Sequence, residues 1–156
     1  MATSIQQHLV RITPKAAEDL MAAFLRLPED KRAWSPMGDA RTAIDQMSEI
    51  AILNGRTDEL IHTKQFGADF ASAMGDFQRL KSELSEDWPR LKSMLEENTA
   101  KVVETIGKVP DSELSAEVEM PWGAMTIEQI IGYPHWNMCY HEGQINYLAS
   151  MLGCLE

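Results

Sequence analysis

The sequence predicts an all-α protein, a four-helix bundle with crossover connections. Three observations predict it. Four segments repeat apolar residues at three- and four-residue spacing, and each carries helix start or stop signals. No run alternates apolar and polar residues at the length a sheet would need. The chain has 156 residues, 44% of them apolar, which suits one domain with a single substantial core.

The first helix is expected from Thr13-Pro14, a cap followed by proline, through Ala16, Ala17, Leu20, Phe24 and Leu27 to the stop at Pro28. The second is expected from Asp39 as N-cap through Ala43, Ile44, Met47, Ile50 and Leu53, with Asn54-Gly55 ending it. The third starts near Asp87, tolerates Pro89 in its first turn, and runs through Leu91, Leu95, Val102 and Ile106 to Gly107. The fourth opens on the capping box Thr126-Ile127-Glu128-Gln129 and continues to Gly153, with a bend at Pro134. Between the second and third, Leu60, Ile61, Phe66, Phe70 and Phe77 suggest one or two short helices packed on the outside. Lys108 to Met125 reads as an extended linker in which Val118, Met120 and Trp122 lie over a bundle end.

The net charge is −10, from 14 basic and 24 acidic residues. Such a balance argues against nucleic acid and against an anionic membrane as partners. The acidic runs Glu83 to Asp87 and Glu96-Glu97 are expected as solvated helix faces. Cys139 and Cys154 are separated by a helical stretch of roughly 22 Å, too far for a disulfide. The N-terminus has no secretory pattern and the longest apolar stretch, Leu20 to Leu25, is short, so a cytoplasmic location is expected.

The chemistry concentrates near the C-terminus. Asn137, His141 and Gln144 fall within about 60° of one another on one stripe of the last helix. Polar groups on a stripe that faces a core need partners. The second helix carries Asp45 and Glu49 at i and i+4, with Glu49 about 40° from Leu53, at the edge of the apolar face. A carboxylate there suits a histidine from a neighbouring helix, as in sites built inside bundles. Gly143 is expected to leave room for another backbone, and His135 lies about 120° from His141, outside its cluster.

The stretch YHEGQINYLASMLG resembles the last helix of the DinB-like superfamily of small bacterial four-helix bundles, with its His-x-x-x-His-x-Gly-Gln-Ile pattern. PWGAMT resembles that family's linker into the last helix, and ARTAIDQMSEIAILNG its second helix. The resemblance implies a divalent metal, such as zinc or nickel, held by one histidine of the second helix and two of the last. It also implies, for some relatives, metal- or thiol-dependent transfer or isomerisation of a small electrophile. Carried over by position, the last histidine is His141, the other histidine of the last helix falls on Asn137, and that of the second helix on Glu49.

Glu49, Asn137 and His141 are therefore the candidate metal ligands. A carboxylate, one imidazole and an amide form a weak donor set for zinc. The expectation is a direct Glu49–His141 hydrogen bond completed by Asn137, no bound metal, and a degenerate site between the second and last helices. The protein is then a non-catalytic binder of a small molecule or a structural homodimer, with the transferase or isomerase as the alternative. Among the other residues, His62 is expected at the surface. Cys139 is expected as a small buried apolar residue with no base beside it. Trp34, Trp122, Trp136, Tyr140 and Tyr147 are expected in the core and lid.

Overall fold

Five helices carry the chain: α1 (Ile5–Arg26), α2 (Ala43–Thr63), α3 (Phe70–Ser85), α4 (Trp88–Lys108) and α5 (Ile127–Met151). A two-residue hairpin pairs β1 (Glu117–Val118) with β2 (Met125–Thr126) in antiparallel register. The computed structural model describes residues 3–67 and 69–155. Every helix starts on a side-chain cap, namely Ser4, Thr42, Asp69, Asp87 and Thr126. Each cap satisfies a backbone N–H that the helix itself leaves without a partner.

Four helices form the bundle in the cyclic order α1, α5, α2, α4, so α1 and α2 are diagonal and the 27–42 segment crosses between them. Helix α3 packs outside, against α2 and α4. None of the described helices is long and apolar enough to cross a membrane.

Two expected boundaries move, both for packing reasons. Helix α1 begins at Ile5, eight residues before Thr13, on a Ser4/Gln7 capping box. Gln6, Leu9, Thr13, Ala16 and Leu20 are all buried at helical spacing, so the buried stripe carries the helix through Pro14. Pro14 is exposed, which leaves its missing backbone bond on the solvent side. Helix α2 starts on Thr42, not Asp39, and runs past Asn54-Gly55 to Lys64, which takes the left-handed conformation at φ 53°. Asn54 and Gly55 stay helical because α4 uses them. The Asn54 amide donates to Thr99 Oγ1 at 2.9 Å. Gly55 admits Asn98, whose Nδ2 would stand 2.6 Å from a Cβ there and donates to the Ala51 carbonyl at 2.8 Å.

The expected third and fourth helices appear as α4 and α5, and α5 passes through Pro134 without a break. The stretch expected to be extended folds into the hairpin. Val118 is buried there and Met120 half-buried, while Trp122 is exposed.

The apolar interior falls into two clusters. One gathers Leu20, Phe24, Met47, Ile50, Leu91, Leu95, Met138 and Ile145. The other, under the hairpin, gathers Leu9, Ile61, Val102, Ile106, Val118, Ile127 and Ile131. Buried polar residues sit where one cluster gives way to the other along each bundle helix: Thr13, Asn54 with Thr57, Thr99 and Asn137. The Asn54–Thr99 bond ties α2 to α4 at that level.

Candidate functional site

Glu49 and His141 meet between α2 and α5. His141 Nε2 stands 3.0 Å from Glu49 Oε1, within direct hydrogen-bond range. His141 is 1% exposed. Its Nδ1 faces Gln144 Oε1 at 2.8 Å and Gln46 Oε1 at 3.1 Å. The three facing atoms are one carboxylate oxygen and two amide oxygens.

The second carboxylate oxygen of Glu49 is also taken. Arg41 Nη1 lies 2.7 Å from Glu49 Oε2, and Arg41 Nε lies 2.6 Å from Asp45 Oδ2. Lys81, reaching in from α3, stands 2.9 Å from Asp45 Oδ1. Two carboxylates thus face three cationic or proton-donating side chains, Arg41 from the segment before α2, Lys81 from α3 and His141 from α5. Burial pushes the Glu49 carboxyl up, but the hydrogen bonds and charges of His141 and Arg41 outweigh it and hold Glu49 below its ordinary value. Asp45 is likewise pushed up by burial and held below its ordinary value by Lys81 and Arg41. Burial, with the charge of Glu49 added, pushes the Tyr133 phenol up, so it keeps its proton.

Asn137 is brought into the same helix interface but not into the network. It is buried one turn before His141, and its Nδ2 has no hydrogen-bond partner. Among the described residues, no group of three or more His, Cys, Asp or Glu side chains is placed to hold a metal ion.

Arg41, Gln46, Lys81 and Tyr133 were not singled out from sequence. Arg41 carried a readable signal, since Arg41, Asp45 and Glu49 recur at four-residue spacing, although Arg41 itself lies just before the first turn of α2. Lys81 carried none, because its approach depends on how α3 docks. Gly143 does not admit another backbone; no atom lies within 4 Å of a Cβ built there.

Cys139 differs from expectation. It is exposed, and the His135 ring, four residues earlier, places Nε2 3.6 Å from its Sγ. The two side chains share the outward face of α5, where a thiol is not needed to fill core space. Burial, together with the charges of Glu142 and Asp19, pushes the Cys139 thiol up, so it is no activated nucleophile. Trp122, Trp136, Tyr140 and Tyr147 are also exposed, and only Trp34 of the expected aromatic set packs against the core. Trp136 stacks on Tyr140 at 5.3 Å between centroids, and Tyr140 meets the His141 ring edge-on at 5.2 Å. His62 is exposed, as expected, with Nδ1 2.8 Å from the Asp58 carbonyl. Both cysteines are free.

No family model matches the chain, and no curated protein sequence matches it either. What fold and site define is a helical bundle with a charged, largely buried network between two of its helices.

Proposed function

We propose that this is a non-catalytic, DinB-like bundle protein in which a salt-bridged network occupies the position of a metal centre. The observation that carries the reading is Arg41 on Glu49. The guanidinium supplies, at 2.7 Å, the positive charge that a divalent ion would otherwise bring to that carboxylate. A dication beside it would meet a fixed like charge, and both Glu49 oxygens and both His141 nitrogens already have protein partners. Transfer or isomerase chemistry on a metal would require this network to open. The residues do not fit the ion that the resemblance implies.

The remaining role is association. Two observations support two forms of it. Trp136, Tyr140, Tyr147 and Met151 leave one side of α5 apolar and exposed, and Leu25 on α1 is half exposed, which favours a homodimer. The unpartnered Asn137 amide offers a donor to a small ligand bearing a carbonyl or carboxylate. Light scattering tests the first form. The wild-type chain should run as a dimer and Trp136→Glu as a monomer; a monomeric wild type contradicts it. Metal content tests the degenerate site: metal lost on Glu49→Gln would contradict the network reading.

A further inference from the structure

We infer that α5 pairs with α5 of a second copy of this chain, antiparallel, about a two-fold axis that passes between Gly143 and Gln144. The inference rests on the homodimer proposed above and adds its contact face and register. The spacing carries it. Tyr140 and Tyr147 stand at equal distances from the midpoint between Gly143 and Gln144, and Trp136 and Met151 stand one helical turn further out on either side. These four and Gly143 fall within about 80° of one another on one stripe of the helix. A two-fold axis perpendicular to a helix pairs residues that are equidistant from it. It sets Tyr140 against the partner's Tyr147, and Trp136 against the partner's Met151. Ring on ring and sulfur on ring are both favourable contacts. Gly143 supplies the room between them. It is exposed, and nothing in its own chain lies within 4 Å of a Cβ built there.

Charge selects a second copy as the occupant. The chain carries a net charge of −10, so two copies repel one another unless they meet on a face without charge. From Gln129 to Met151 the stripe holds no charged side chain, and the two carboxylates of α5, Glu128 and Glu142, lie off it. A basic partner would find nothing on this face to pair with. Trp136, Tyr140, Tyr147 and Met151 are between 44% and 68% exposed. They offer on the order of 450 Å2, over half of the roughly 800 Å2 that each partner gives to a stable interface.

The test is sedimentation equilibrium on the full-length chain. Tyr140→Lys or Tyr147→Glu alone should weaken the dimer by about thirtyfold or more. Both side chains are exposed, so circular dichroism should show both variants folded. Mixing the two variants should regain about tenfold or more of the lost affinity as a heterodimer. In that pair the new ammonium faces the new carboxylate at one contact, and the two remaining tyrosines meet at the other. A parallel pairing would leave the mixture as weak as either variant. A monomeric wild type overturns both the homodimer reading and this one. A wild-type dimer that the single variants leave intact, or that mixing them does not restore, overturns the register while the homodimer stands.

Discussion

Helix α5 carries two histidine stations that differ only in the direction they face. His141 points into the bundle, is 1% exposed, and has a protein acceptor on each ring nitrogen. His135 is half-buried on the other side of the helix, with the Cys139 sulfur at 3.6 Å. The same side chain is thus locked where partners come from two helices and available where they come from one. Burial explains the contrast. A polar ring taken out of water must be fully hydrogen-bonded, so the bundle surrounds it; a surface ring is under no such demand.

The largest effect should separate the stations by stability. His141→Ala strands Glu49 and two glutamine carbonyls in a largely buried place and should cost about 3 kcal/mol in urea unfolding. His135→Ala should stay within about 0.5 kcal/mol of wild type. Equal losses would erase the distinction.

Acid should separate them next. Glu49 and Asp45 are held below their ordinary carboxylate values when folded. Their contribution to stability is therefore complete above the unfolded carboxylate value and is lost as pH falls through the lower folded values. Unfolding free energy should decline from neutral pH toward pH ~3, and Glu49→Gln should flatten that decline, whereas Cys139→Ser should not. A parallel decline in Glu49→Gln would remove the network from the explanation.

A smaller effect concerns Asn137. Its buried Nδ2 lacks a partner, so Asn137→Leu should raise stability by about 1 kcal/mol in the absence of ligand. Destabilisation would show that the amide is already satisfied. Smallest is the reactivity of the outer thiol. With its thiol pushed up, Cys139 should alkylate more slowly than a free cysteine at neutral pH and speed up as pH rises. Fast, pH-independent modification would contradict that environment.

Much of the fold was legible because local signals and burial agree in α4 and α5. Their caps at Asp87 and Thr126 stand where the sequence places them. The boundaries that moved are those where tertiary packing outweighs local punctuation. Pro14 reads as a helix start but lies mid-helix on the solvent side, and Asn54-Gly55 reads as a stop but is the close contact with α4. At the site, the Glu49–His141 pair followed from periodicity on two helices. Lys81 did not, because no local pattern reports how an outer helix docks. Cys139 is exposed where a buried thiol was expected, because its side chain lies beside His135 on the face of α5 turned from the core.

The most direct measurement is metal binding at equilibrium in a variant without the exposed thiol. In Cys139→Ser, titration with Zn2+ and Ni2+ should show no stoichiometric site, because Arg41, Gln46 and Gln144 already satisfy the groups around Glu49 and His141. One equivalent bound in Cys139→Ser and lost when Glu49→Gln is added would contradict the closed network and restore a metal centre between α2 and α5.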